Sequence, residues 1–183
     1  MVALNKTLTL MAAPTGMQPG GYMPAAFADR TTAQTRKADL RVEQAGDIWK
    51  ITLSWECPSP SSSCAGETDK FVDACALLAP SVADAPWMTM GAPGKGVEGY
   101  LWRPDWPQPM RISAEGLGSV QRQAAPGVSA QGRHDAGRWQ VSFEIAAWPN
   151  LASHHQLAFA IWQGTAQERA GLKSVTPGWI GLE

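Results

Sequence analysis

Alternation of apolar and polar residues with a period of two is the dominant signal in this chain, and it commits most of the sequence to β-strands. Asn5–Met11 reads as a strand, and Asp39–Gln44 with Ile48–Trp55 reads as a hairpin around Ala45-Gly46-Asp47. Phe71–Leu78 is instead a continuous apolar run, the pattern of a strand buried on both faces. Val97–Arg103, Arg138–Ile145 and Gln156–Gln163 complete the set. Turn signals separate these segments: Pro86, Gly91-Ala92-Pro93-Gly94, Gly127, Gly132 and Pro149-Asn150. Only Ala166–Leu172 and Ala26–Thr35 invite a helical turn. Many short strands with Gly/Pro-rich connections predict a mainly-β fold, an antiparallel β-sandwich with short helical segments.

The 183 residues are the size of one domain, expected over 1–183. Pro58-Ser59-Pro60-Ser61-Ser62-Ser63 is too short for a domain linker and reads as a loop. A net charge of −1 with 44% hydrophobic residues excludes a disordered chain and a basic polyanion binder, so nucleic acid is not an expected partner. No stretch approaches the roughly 20 apolar residues of a membrane-spanning helix. Nine Trp against two Tyr and four Phe is the compositional oddity, and it asks for large flat apolar surfaces.

Signals for autonomous catalysis are missing. There is no Gly-rich phosphate loop before a helix and no G-x-S-x-G elbow. His154 and His155, if on a strand, point to opposite faces and cannot easily share a metal; a polar loop after Pro149-Asn150 is their default reading. Cys57 and Cys64 lack the short spacing of a zinc knuckle. They bracket the Pro/Ser loop and could pair in an oxidising compartment, whereas Cys75 lies in an apolar run as a buried thiol.

Two segments are more specific. The first runs Asp69-Lys70-Phe71-Val72-Asp73-Ala74-Cys75-Ala76-Leu77-Leu78-Ala79-Pro80, then Pro86-Trp87-Met88-Thr89-Met90-Gly91, then Val97-Glu98-Gly99-Tyr100-Leu101-Trp102-Arg103. The second runs Leu157-Ala158-Phe159-Ala160-Ile161-Trp162-Gln163-Gly164, then Glu168-Arg169-Ala170-Gly171-Leu172-Lys173-Ser174 and Trp179. In this order and separation they resemble the haem-binding gamma subunits of the ethylbenzene dehydrogenase and dimethylsulfide dehydrogenase type, which include those of chlorate and selenate reductases.

The resemblance implies a non-covalent haem b held between strands and loops of the sandwich, with a methionine and a lysine as axial ligands. The methionine before glycine is here Met90, and the lysine closing E-R-x-G-x-K is Lys173. Trp102 and Trp162 flank the motifs and are expected in the pocket wall. The chain lacks C-x-x-C-H, so c-type attachment is excluded. The pair is chemically coherent: a thioether is a soft neutral ligand associated with raised potential, and burial lowers a lysine pKa toward the neutral amine that can ligate. Without the resemblance, Met90 reads as a core filler and Lys173 as a solvated surface charge. Met88, two residues from Met90, is the rival sulfur ligand and Lys95 the rival amine.

The family's function implies an electron-transfer subunit rather than an enzyme. Its expected partners are a molybdopterin catalytic subunit, an iron–sulfur subunit and a cytochrome c or similar carrier. The resemblance places the chain in the periplasm, although residues 1–20 show no export signal, which leaves the cytoplasm as the alternative. The rival function is a Trp-rich β-sandwich carbohydrate-binding module without haem, in which exposed rings stack on sugars.

Overall fold

The computed structural model describes residues 3–19, 27, 30–64 and 66–182. Among these residues, thirteen strands and one short α-helix follow one another in the order β1 (Ala3–Thr9), β2 (Met11–Ala12), β3 (Lys37–Ala45), β4 (Ile48–Glu56), β5 (Ala74–Pro80), β6 (Val97–Trp102), β7 (Met110–Ala114), β8 (Gln121–Ala124), β9 (Val128–Asp135), β10 (Arg138–Ile145), α1 (Pro149–His154), β11 (Gln156–Trp162), β12 (Ser174–Val175) and β13 (Ile180–Gly181). They form two antiparallel sheets. The first has the order β1-β3-β4-β10-β9; the second has the order β2-β12-β11-β5-β6-β7-β8, with β13 also paired to β11. The mainly-β, antiparallel sandwich expected from the sequence is what the chain forms.

The sheets differ in how many faces they bury. In the first sheet only alternate residues go in: Trp49, Ile51, Leu53 and Trp55 on β4, and Trp139, Val141, Phe143 and Ile145 on β10. In the second, β5 is buried along its whole length. Its Cys75, Leu77 and Ala79 face the inter-sheet core, whereas Ala74, Ala76 and Leu78 belong to a second apolar cluster. β11 divides likewise, with Leu157, Phe159 and Ile161 inward and Ala158 and Ala160 outward. The second sheet therefore has an apolar outer face, floored by alanines and roofed by loops that carry Trp87, Met88, Met90 and Trp179. That layer positions the candidate site.

Several expectations need correction. The apolar run begins at Phe71, but the strand starts only at Ala74, because the carbonyl of Phe71 accepts the Ser61 hydroxyl at 2.6 Å and the side chain of Asp73 is engaged by neighbouring loops. Ala166–Leu172 is no helix: a single 3₁₀ turn at Gly164–Ala166 is ended by left-handed backbone at Gln167 (φ 63°) and again at Ala170 (φ 48°). Of Ala26–Thr35, residues 26, 28 and 29 lie outside the described residues, and 30–35 form no helix, with bends at 32, 34 and 35. Gly132 is not a turn but lies inside β9, where a Cβ would stand 2.1 Å from the Trp102 ring. His154 ends α1 rather than lying in a polar loop, and Nε2 of that residue lies 3.2 Å from the Ser81 carbonyl. β7, β8 and β9 have no counterpart in the sequence reading.

Candidate functional site

Lys173 immediately precedes β12, whose pairing with β11 and β2 fixes the lysine backbone; the Ala13 N–H donates to the Lys173 carbonyl at 2.9 Å. The side chain turns into the outer apolar layer and is only 9% exposed. Its Nζ lies 3.7 Å from Sδ of Met90 and 5.3 Å from the centre of the Trp162 ring. Among the described residues it has no carboxylate partner. Burial pushes the amine down from its ordinary 10.5 to about 8, so a neutral amine with a free lone pair is accessible near neutrality.

Met90 is delivered by a tight turn. Its N–H donates to the Trp87 carbonyl at 2.9 Å, the Gly91 N–H donates to Pro86 at 2.8 Å, and the Met90 carbonyl accepts the Gly116 N–H at 2.9 Å. Met90 itself adopts φ 54°, a left-handed conformation unusual for a long side chain, which persists only where the surroundings enforce it. Gly91 follows at φ 86°, and a Cβ there would meet the Lys95 carbonyl at 2.6 Å, so glycine after Met90 is a steric requirement. Trp87 and Trp179 clamp the turn: their rings lie 5.4 Å apart, Trp87 Nε1 donates to Thr176 at 2.7 Å, and Trp179 Nε1 donates to Ala85 at 2.8 Å.

A cavity of about 140 Å³ opens beside the pair, with Ala76, Leu78 and Ala160 on its floor and Met90, Trp162 and Lys173 among its walls. A second, of about 200 Å³, shares Leu101, Arg122, Trp162 and Ala170 with it. Two larger clefts, of about 380 and 430 Å³, are lined by groups such as Arg138, Asp39 and Glu56, or Glu98, Ser113 and Glu115, and lack a ligating pair.

The structure thus brings together Met90, Lys173 and Trp162, whose indole donates to the Ala170 carbonyl at 3.0 Å. It does not bring Trp102 to them. Trp102 follows Leu101 on β6, so it faces the opposite side and packs edge-on to Trp139 at 5.2 Å in the inter-sheet core, while Leu101 lines the cavity. Met88 sits in a turn rather than a strand and reaches only a narrow space that Met90 and Lys173 also line. Lys95 is solvent-exposed and ion-paired with Asp84. No group of three or more metal-ligating side chains occurs among the described residues. All three cysteines are free thiols; Cys57 is buried and donates to Asp73 at 3.5 Å instead of pairing with Cys64.

Two carboxylates inside the motifs had no assigned role. Asp73 is fully buried and accepts N–H bonds from Ser61 (2.8 Å), Gly164 (2.8 Å) and the Trp139 indole (2.9 Å). Glu168 is buried in the turn before Lys173, accepting the Gln163 N–H at 2.8 Å and the Ser174 hydroxyl at 3.5 Å, and burial raises its pKa from 4.5 to about 7. An acid heading an apolar run was the available signal for Asp73. Arg122 lines both cavities from β8, and Gln121-Arg122-Gln123-Ala124 is too polar to read as a strand.

A haem iron between the two side chains needs Nζ and Sδ roughly 4.4 Å apart on ordinary first-row metal–ligand lengths. The observed 3.7 Å is short of that by a displacement flexible side chains can make. The first cavity is below the ~300–1,000 Å³ usual for ligand sites, and the adjoining one supplies further room along the same alanine floor. Soft sulfur, uncompensated buried amine and apolar floor fit the group.

Fold and site together define a β-sandwich with an apolar cavity on the outer face of one sheet. No family model matches the chain. Among curated proteins it is 27% identical to the chlorate reductase gamma subunit of Ideonella dechloratans, over 82% of this chain and 66% of that one. It is 27% identical to the dimethylsulfide dehydrogenase gamma subunit of Rhodovulum sulfidophilum, over 77% and 58%. It is 28% identical to a respiratory nitrate reductase haem subunit of Haloferax mediterranei, over 69% and 48%. The chain thus spans about half to two thirds of the length of these relatives. The resemblance read from the paired motifs is borne out: the relatives are gamma and haem subunits of that type. Solved structures of a family 9 carbohydrate-binding module from Caldicellulosiruptor kristjanssonii, with cellotriose or glucose, align over 80% of this chain and 67% or 68% of theirs, at TM-scores of 0.43 and 0.42 and 8% and 9% identity. At that level the likeness bears on neither site nor function.

Proposed function

We propose that this chain binds one haem b non-covalently, with Met90 and Lys173 as axial ligands, and serves as an electron-transfer subunit of a molybdenum oxidoreductase complex. The observation that carries this reading is the buried, uncompensated Lys173 amine facing the Met90 thioether at 3.7 Å. A buried lysine without a counter-ion costs stability unless something uses its lone pair. The strained Met90–Gly91 turn holds the sulfur opposite that amine, and the centre of the Trp162 ring lies 5.3 Å from the amine. A bound haem supplies a one-electron iron couple whose potential a thioether raises. With both axial positions taken by the chain's own side chains, none is left for a substrate, which favours electron transfer over catalysis.

The named relatives support placement in a complex, since two are gamma subunits of a reductase and a dehydrogenase. On this reading the partners are an iron–sulfur subunit, a molybdopterin catalytic subunit and a cytochrome c or similar carrier, and the compartment is the periplasm. A sugar-binding module requires exposed aromatic platforms. No described tryptophan is exposed; Trp106, Trp162 and Trp179 are half-buried and the other six are buried, which disfavours that reading. Affinity purification from the native host tests the proposal. It should yield b-type haem at about one per chain, with molybdenum and iron–sulfur clusters in fixed ratio. A colourless protein made with ample haem, or a functional monomer without partners, would contradict it.

A further inference from the structure

We propose that Arg122 and Arg169 form an anion-binding mouth to the cavity and hold the two propionate carboxylates of the tetrapyrrole; this rests on the haem reading above. Arg122, on β8, lines both the 140 Å³ and the 200 Å³ cavities, and Arg169 lines the second. Met90 and Lys173 line only the first of these two and Arg169 only the second, and Leu101, Arg122, Trp162 and Ala170 form the wall the two cavities share.

The charges at the mouth are unequal in kind. Arg103 is held bidentately by Asp105 at 2.9 and 2.7 Å, and Lys70 is paired with Glu67 at 2.5 Å. Arg122 and Arg169 have no carboxylate partner among the described residues; the Arg169 guanidinium stands 4.3 Å over the Phe71 ring. Glu168 is the acid on this wall, and its oxygens are engaged by Gln163 and Ser174. Two uncompensated guanidiniums at the exposed end of an alanine-floored cavity suit a flat ligand that is apolar over most of its area and dianionic along one edge. Arginine recognises carboxylates through paired, charge-assisted hydrogen bonds.

The test titrates the full apo chain with haemin and, separately, with haemin dimethyl ester, following the Soret band. Wild type is compared with R122Q, R169Q and the double variant. Wild type should bind haemin about 100-fold tighter than the ester, about tenfold for each arginine. Each single variant should lose about tenfold for haemin and nothing for the ester, and bound spectra should stay low-spin because the ligands are untouched. A double variant that binds haemin like wild type would overturn the proposal. So would one that loses haemin and ester equally, since that marks a structural role. Wild type that takes up neither compound would overturn the haem reading itself, an outcome distinct from the other two.

Discussion

The carboxylate of Asp73 and the backbone N–H of Gly164 meet at 2.8 Å, which ties the start of β5 to the end of β11 at the edge of the site. Gly164 has no room for a side chain: a Cβ would lie 1.9 Å from the Phe71 carbonyl. The same carboxylate serves Ser61 and Trp139. Asp73→Ala leaves the Gly164 and Ser61 N–H groups, the Trp139 indole and the Cys57 thiol without their acceptor and should cost about 3 kcal/mol or more. Asp73→Asn keeps one acceptor oxygen and should cost less. Urea denaturation of both variants checks this, and an unchanged midpoint for Asp73→Ala would contradict the structural role.

Gly91 and Gly94 provide a matched pair for the ligand-bearing turn. Both have positive φ, 86° and 74°, but a Cβ on Gly91 meets the Lys95 carbonyl at 2.6 Å, whereas nothing lies within 4 Å of one on Gly94. Gly94→Ala should lose only the ~1–2 kcal/mol of left-handed strain. Gly91→Ala should lose more and also disturb haem binding, because Met90 must move. Equal effects on melting temperature and haem affinity would count against the turn as the device that presents Met90.

The apo protein should show opposed pH dependences from its two buried titratable groups. Glu168 titrates near 7 in the fold against 4.5 ordinarily, so between these values the folded state holds the extra proton and stability falls as pH rises. Lys173 titrates near 8 against 10.5, so between those values the unfolded state holds the extra proton and stability rises with pH. The stability difference between wild type and Glu168→Gln should change over the lower window, and that between wild type and Lys173→Met over the upper. Denaturation curves at a series of pH values decide it; differences that stay flat with pH would refute both assignments.

Thiol chemistry should follow burial. Cys57 and Cys75 are buried, and burial pushes Cys57 up to about 12 and Cys75 well above its usual value, so both thiolates are scarce. Cys64 is half-buried and should alkylate first under native conditions, with all three labelled after denaturation. An intact mass two daltons low, lost on reduction, would instead indicate a Cys57–Cys64 bridge.

The sandwich was legible because period-two patterning follows from one-sided burial, and β3, β4 and β10 obey it. The polar strands β8 and β9 were not, since exposed strands such as Gln121–Ala124 carry no apolar face. Met90 and Lys173 lie 83 residues apart, and no spacing rule connects them; only the motif resemblance named both. Trp102 was assigned to the wall by proximity to a motif, and strand alternation sends it to the other face of β6. Gly132 resembles a turn in sequence, yet it is small because the Trp102 ring occupies its missing side chain.

Spectra of the haem-loaded chain test the axial pair most directly. Apo protein reconstituted with haemin is compared as wild type, Met90→Ala and Lys173→Ala, with Met88→Ala and Lys95→Ala as controls. Ligation by Met90 and Lys173 predicts a low-spin, six-coordinate spectrum for wild type and both controls, and loss of that signature in each of the first two variants. A wild-type chain that takes up no haem, or Met90→Ala and Lys173→Ala variants that keep the wild-type low-spin spectrum, would contradict it.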